Sequence, residues 1–288
     1  MKGSNPSSTK KTISLTILGS GNSTGVPMIQ CKCRVCRSKN PKNKRLRASA
    51  WLRVGGKSFL IDTSPDLRQQ AIRARIPRID AVLYTHPHAD HTHGIDELRS
   101  FNAIQKSEIP VYAHSWTCTE LQSKFNYIFD YSRQELLSRS PIPRDNPQFE
   151  GKKEEGGGRP RLPLIEFDPS ACELEILGEK IIPIPLPHGS QESVGYRING
   201  IAYVTDCSYI PISSLDRMKE LSVLVLDCLR LRPHGTHLNL DQALEIVSVL
   251  KPKRTFLTHL GHEMDYATWR KKLPKGVSLA YDGLTIKT

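Results

Sequence analysis

Between residues 85 and 91 the chain reads Thr85-His86-Pro87-His88-Ala89-Asp90-His91. Neutral imidazoles and a carboxylate in so short a stretch are the donors that suit Zn²⁺, Mn²⁺ or Fe²⁺. His86 and His88 are two apart, so both can turn to one side of an extended segment. Asp90 and His91 come round the following turn and can reach a second point nearby. Four side chains from one loop do not easily all reach a single cation, which favours two ions. The competing reading is a His-rich surface turn, and the order His-x-His-x-Asp-His directly after an apolar run argues against it. Cys31, Cys33 and Cys36 form a second cluster. Thiolates this close can converge on one tetrahedral Zn²⁺ with one position left open. Read instead as reduced cysteines in a loop, they would be an oxidation liability.

These residues need elements that deliver them. Asp80-Ala81-Val82-Leu83-Tyr84 reads as a buried strand running into the His/Asp loop. Thr12–Leu18 alternates and reads as a first strand, followed by the Gly-rich 19–25, which is either a phosphate-approaching loop or a plain turn. Ala48–Val54 and Lys57–Ile61 form a hairpin across Gly55-Gly56, and Asp62 ends its second strand. Ser64-Pro65-Asp66 predicts a helix start with Ser64 as cap. Helices are expected at 94–104 and 117–128, with a short strand at 111–113 between them. The stretch 131–170, rich in Pro, Gly and charge, reads as an irregular insertion over the active-site face. Further hairpins span 171–186 and, across Asn199-Gly200, 194–205. Pro187-His188-Gly189-Ser190 then sits at a strand end, and Asp206 follows another. Val223–Leu226 is a fully apolar strand ending at Asp227. Asn239, with Gln242, opens a helix in which Leu240, Ala243, Leu244, Val247 and Leu250 keep helical spacing. Arg254–Thr258 is a last buried strand, delivering His259, and strands at 277–280 and 284–286 close the chain.

The motifs Leu18-Gly19-Ser20-Gly21, the Cys31 to Cys36 cluster, His86 to His91, Leu186-Pro187-His188, Val204-Thr205-Asp206, His237-Leu238-Asn239-Leu240 and Leu257 to His262 together resemble the metallo-β-lactamase superfamily. From Ile13 to Ile286 the chain looks like its PhnP-like phosphodiesterase branch. The resemblance implies an α/β class αββα sandwich: two mixed sheets packed face to face, with helices on both outer sides. It implies a single domain over 12–288, with a Cys-rich structural zinc loop at 28–47. It assigns His86, His88, His188 and Asp206 to a first metal and Asp90, His91, His259 and Asp206 to a second. A bridging water would then attack phosphorus in line. Asp90 and His237 are the implied catalytic residues, His237 as general acid or phosphate stabiliser. His262 is the implied fourth ligand beside Cys31, Cys33 and Cys36. Asp62 is the implied buttress that orients the metal loop. The implied cofactors are two divalent ions, Zn or Mn with Fe open as well, and one structural Zn. His93 and His114 read as surface or structural, His234 ranks below His237, and Cys118, Cys172, Cys207 and Cys228 read as small buried residues.

Composition narrows the partners. Over 288 residues the net charge is +12. From Lys32 to Arg78 the only acids are Asp62 and Asp66. Such a balance favours anionic partners. A small phosphorylated substrate is expected, with nucleic acid second and a homodimer left open. Met1–Lys11 reads as a polar disordered tail, no apolar run is long enough to span a bilayer, and seven cysteines fit a reducing compartment. A cytoplasmic protein without a membrane partner is therefore expected. The leading function is hydrolysis of small, cyclic phosphate diesters such as phosphoribosyl 1,2-cyclic phosphate. The alternatives are a tRNA 3′-processing-type endoribonuclease, a metal-stabilised binding protein without turnover, and a thioester hydrolase.

Overall fold

The computed structural model of the chain describes residues 12–129, 158–171 and 173–288. Strands β1 (Ser14–Gly19), β2 (Ser49–Val54), β3 (Lys57–Ile61), β4 (Ala81–Leu83), β5 (Val111–His114) and β6 (Leu164–Phe167) come from the first part of the chain. The last strand, β14 (Thr285–Lys287), joins them, in the order β14-β1-β2-β3-β4-β5-β6. The second seven-stranded sheet holds β7 (Leu174–Ile176), β8 (Glu179–His188), β9 (Gln191–Ile198), β10 (Ile201–Val204), β11 (Val223–Asp227), β12 (Arg254–Thr258) and β13 (Val277–Leu279). Its order is β13-β12-β11-β10-β9-β8-β7. Each sheet is antiparallel through its hairpins, then parallel, from β3 to β6 and from β10 to β13.

Parallel neighbours need crossovers, and the helices supply them. α1 (Leu67–Ala74) links β3 to β4. α2 (Ala89–Thr92) and α3 (Leu98–Gln105) lie between β4 and β5, and α4 (Ser115–Lys124) and α5 (Asn126–Phe129) follow β5. In the second half α6 (Ile212–Asp216), α7 (Leu240–Leu250) and α8 (Tyr266–Lys272) link β10, β11, β12 and β13 in turn.

Strand alternation sorts the apolar side chains into layers. Leu15, Ile17, Leu52, Phe59 and Ile61 meet Tyr196, Tyr203, Val223 and Val225 between the sheets. Their neighbours Leu60, Val82 and Tyr84 face the other way, onto Leu67, Leu98 and Leu121 of α1, α3 and α4. Leu224, Leu226 and Leu257 do the same against Ala243, Leu244 and Trp269 of α7 and α8. β11 is thus buried on both faces, which is why it is apolar throughout. The result is the αββα sandwich.

Several local expectations change. Helix α1 begins at Leu67, with Asp66 rather than Ser64 at its cap position. The Asp66 carboxylate makes no capping bond and instead accepts from Arg47 N at 2.9 Å and Nη1 at 2.8 Å. The stretch read as irregular up to 170 contains β6, paired in parallel with β5. Pro160, Pro163 and the charges around a four-residue strand hide its pattern. Residues 131–157, the 1–11 tail and Cys172 lie outside the described residues. Helices α6 and α8 were not read from the sequence; both are short, and α8 depends on its Asp265 cap. No helix among the described residues is long and apolar enough to cross a membrane.

Candidate metal centre

Strand ends deliver nearly every group of the site. β3 runs into Asp62, β4 into Thr85 and His86, β10 into Thr205 and Asp206, and β12 into His259. Three of these leave their strands in the left-handed region, with φ of 60° at Asp62, 56° at Asp206 and 57° at His259. That conformation is disfavoured for residues with a Cβ, and it turns each side chain sharply off the strand axis. His188 is delivered differently. It is the last residue of β8 and pairs with Gln191 across the two-residue hairpin Gly189-Ser190. Gly189 has φ 65°, and a Cβ there would lie 2.7 Å from Thr236 Cγ2. The one-turn helix α2 brings Asp90 and His91 round to the same point.

The side chains converge. His86 Nε2 lies 3.0 Å from His88 Nδ1 and 3.8 Å from Asp206 Oδ1. His91 Nε2 lies 3.4 Å from Asp206 Oδ2 and 3.3 Å from Asp90 Oδ2. His259 Nε2 lies 3.3 Å from Asp206 Oδ1 and 3.6 Å from Asp90 Oδ2. Two donor groups emerge, His86, His88 and His188 on one side and Asp90, His91 and His259 on the other, and Asp206 groups with members of both, His86 and His91.

The remaining ring atoms are held from outside. Thr85 Oγ1 donates to Asp62 Oδ2 at 2.8 Å, so it accepts from His86 Nδ1 at 3.0 Å. The lone pair of His86 Nε2 therefore points into the centre. His91 Nδ1 donates to Asp62 Oδ2 at 2.7 Å, and His188 Nδ1 to the Thr236 carbonyl at 2.8 Å. Outer partners of this kind orient metal-binding imidazoles. The Nε2 atoms of His91 and His259 are buried and have no hydrogen-bond partner. Buried polar atoms without partners are costly, and a cation at the centre would satisfy both, so the residues present fit a metal centre.

Asp227, in sequence only the terminus of an apolar strand, sits at the end of β11 against His237 and His259. Fully buried, it accepts from His237 Nδ1 and Leu238 N, both at 3.2 Å. Its Oδ1 faces His259 Nδ1 at 3.8 Å. The signal was an acid ending an apolar strand, the same arrangement as Asp62. Burial disfavours the charged form of His237, but the carboxylates of Asp227 and Asp206 outweigh it and raise its pKa to about 9. Burial also opposes ionisation of Asp206, and the surrounding His259, His91 and His86 hold it well below the ordinary carboxylate range.

A cavity of about 410 Å³ opens on this centre, lined by Ser23, His88, Asp90, His188, Ser190, Gln191, Asp206, Thr236, His237 and His259. The Gly-rich 19–25 loop is a packed turn: Ser20 N donates to Asp282 Oδ1, Gly21 N to the Leu46 carbonyl and Gly25 N to the Asn22 carbonyl. These three N–H groups are used within the protein, and the loop contributes Ser23 to the cavity wall. His93 bonds the Ala89 carbonyl at 3.1 Å, His114 lies 3.4 Å from Glu192, and neither lines the cavity. Cys118, Cys207 and Cys228 are buried.

Cys31, Cys33 and Cys36 gather around His262 of the C-terminal segment. His262 Nδ1 lies 3.2 Å from Cys31 Sγ, 3.7 Å from Cys33 Sγ and 3.6 Å from Cys36 Sγ. Ligand edges of about 3.5 Å follow from Zn–S and Zn–N bonds in a tetrahedron. Backbone N–H groups of Cys36 and Met28 approach Cys33 Sγ and Cys36 Sγ, both at 3.4 Å, which suits thiolates. Buried Arg45 braces the same segment, donating to the carbonyls of Gly261 at 2.8 Å and of Met264.

With fold and site in hand, comparison with known proteins places the chain. The Beta-lactamase superfamily domain matches residues 57–260. The chain belongs to the β-lactamase superfamily, and its donor set suits divalent metal ions. A crystal structure of a new diphosphatase from the PhnP family superposes with a TM-score of 0.83 at 38% identity, covering 96% of this chain and 97% of that one. An octanoyltransferase of Porphyromonas gingivalis is 33% identical over 271 residues, 93% of this chain and 50% of that protein. Coenzyme PQQ synthesis protein B of Rhodopseudomonas palustris is 33% identical over 144 residues, 46% of this chain and 44% of that protein. The chain thus spans about half the length, or less, of these curated relatives.

Proposed function

We propose that this protein hydrolyses small phosphate diesters, cyclic ones such as phosphoribosyl 1,2-cyclic phosphate included, with two divalent ions in its active site. His86, His88, His188 and Asp206 would hold one ion; Asp90, His91, His259 and Asp206 would hold the other. Zn²⁺, Mn²⁺ and Fe²⁺ all suit these nitrogen and oxygen donors. The single observation that carries the reading is the Asp206 carboxylate, whose Oδ1 lies between the two sets, 3.8 Å from His86 Nε2 and 3.3 Å from His259 Nε2, while Oδ2 lies 3.4 Å from His91 Nε2. A carboxylate so placed suits a bridge between two cations. When bound, such cations lower the pKa of water and neutralise charge on phosphoryl oxygens.

The chain's own groups do the rest. Asp62, through Thr85 and His91, fixes the rings of the metal loop. Asp227 fixes Nδ1 of His237, leaving Nε2 facing the cavity as the proton source for a leaving alkoxide. Cys31, Cys33, Cys36 and His262 would hold a structural Zn²⁺. The structure described as a diphosphatase fits the same chemistry, since a phosphoanhydride, like a diester, is cleaved by attack of water on phosphorus with departure of an oxygen leaving group.

The test is a hydrolysis panel on metal-reconstituted protein: cyclic ribose phosphates, cyclic nucleotides, bis(p-nitrophenyl) phosphate, a diphosphate, structured RNA and a thioester. Turnover of the small diesters is expected. Specific cleavage of folded tRNA with small diesters untouched would overturn the reading in favour of a nuclease.

A further inference from the structure

A cavity of about 430 Å³ lies where β1, β2 and β14 meet the C-terminal end of α1. None of its lining residues lines the reaction cavity. Thr16, Trp51, Arg53, Arg73, Arg75 and Thr285 form its wall, and no carboxylate lines it. The three arginines come from the Lys32 to Arg78 stretch, whose only acids are Asp62 and Asp66. Both acids are engaged elsewhere, Asp62 at the metal loop and Asp66 with Arg47. Arg53 lies over the Trp51 ring, 4.4 Å from its centroid, and its Nη2 donates to Ser14 Oγ at 3.2 Å. Trp51 is itself pinned, its Nε1 donating to Ser58 Oγ at 2.7 Å. Arg73 donates through Nη1 to Asp282 Oδ2 at 3.2 Å and through Nη2 to the Leu18 carbonyl. Arg75 ends α1 with φ 51°. Among the described residues, only Arg73 of the three has a carboxylate partner.

The dipole of α1 favours cations at its C-terminal end, which accounts for Arg73 and Arg75. It does not account for Arg53, which reaches the same cavity from β2. Three guanidinium groups around one concavity favour an anion between them. A guanidinium also offers two kinds of contact, a fork for phosphate and a flat face for stacking. Arg53 already uses one face on Trp51, and the side chain is exposed beyond it. A closed-off volume of this size suits a small ligand rather than the long groove that a polynucleotide follows. We infer that this cavity is a mononucleotide-binding site separate from the metal centre. The phosphate lies between Arg73 and Arg75, and the base stacks on Arg53 on the side opposite Trp51. The site does not depend on the phosphodiesterase reading.

Calorimetric titration of AMP into the metal-loaded full chain tests this, with adenosine and inorganic phosphate alongside. One AMP site should persist in Asp206→Ala, which disables the metal centre. In the otherwise wild-type chain, Arg53→Gln and Arg75→Gln should each weaken that site about tenfold, as for one lost charge-assisted or stacked contact. Both side chains are exposed, so the variants should melt as the wild type does. Adenosine should bind at least about tenfold more weakly than AMP, for the same reason. Arg53→Gln should cost AMP more than inorganic phosphate, since only AMP stacks. Lys219→Gln, an exposed site outside the cavity, controls for overall charge and should leave AMP binding as it is. Absence of AMP binding overturns the inference, as does AMP binding that Asp206→Ala abolishes or that both arginine variants leave unchanged. Inorganic phosphate bound as tightly as AMP overturns the nucleotide assignment. Binding of single-stranded RNA with a steep salt dependence, and none of AMP, overturns it in favour of a polynucleotide surface.

Discussion

His259 and His262 stand three residues apart on one segment yet face different clusters: His259 Nε2 is 3.3 Å from Asp206 Oδ1, and His262 Nδ1 is 3.2 Å from Cys31 Sγ. The turn between them is held by Arg45 at the Gly261 carbonyl, and Leu260 N donates to the Ser20 carbonyl at 2.8 Å. The cysteine cluster is therefore mechanically joined to the reaction centre, although no cysteine lines the cavity.

Cys33→Ser should separate the two roles. Loss of one thiolate should reduce the metal content by one zinc and lower the melting temperature by roughly 5–10 °C, taking about 2–4 °C per kcal/mol. Elemental analysis with a thermal melt checks this, and unchanged zinc and melting together would rule out a metal at the cluster.

Asp206→Ala removes the carboxylate that both donor groups share. Metal occupancy at the reaction centre should fall and diester hydrolysis should be abolished, while zinc at the cysteine cluster is retained. Full activity in this variant would sink the bridging assignment.

His237→Ala should chiefly lower kcat, on the order of 10²–10⁴-fold for a lost general acid. The penalty should shrink for p-nitrophenolate, which leaves without a proton. Asp227→Asn should follow the same leaving-group pattern with a smaller loss, because it weakens the hold on His237 Nδ1 without removing the ring. Equal loss on both kinds of substrate would point to phosphate positioning instead.

Asp265 gives a stability prediction away from the site. Its side chain caps α8 through Thr268 N at 2.8 Å and accepts from Asn43 Nδ2 at 2.9 Å. The bonds from Thr268, then Asn43 and the charge of Arg34, lower its pKa to about 2. A depressed carboxylate pKa stabilises the fold above the ordinary value near 3.8, and that contribution is lost as pH falls towards 2. Asp265→Ala should cost about 1–2 kcal/mol at neutral pH, the usual value of a helix cap. In denaturant titrations the gap between variant and wild type should narrow from about pH 4 downwards; a pH-independent gap would contradict the assignment.

Much of the architecture was legible because the two structural periods are local. The Gly55-Gly56 turn between two strand-like runs marked β2 and β3, an unbroken apolar run marked β11, and the Asn239–Gln242 box marked the start of α7. The metal-loop donors His86, His88, Asp90 and His91 were legible for the same reason, being adjacent in sequence and suited to one chemistry. What tertiary structure alone decided is the set of relationships between distant strand ends. The positive φ values of Asp62, Asp206 and His259 follow from what each chain segment meets on leaving its sheet; Asp and His tolerate that region better than most residues, but their type alone does not place them there. The same holds for Asp227, an ordinary strand terminus until folding sets His237 Nδ1 3.2 Å from it. It holds also for Arg53 and Arg73, which folding brings to one cavity from β2 and α1. Sequence specifies donors and periods residue by residue, whereas packing two sheets face to face brings their strand ends together and so sets which donors share a cation and which stand behind them.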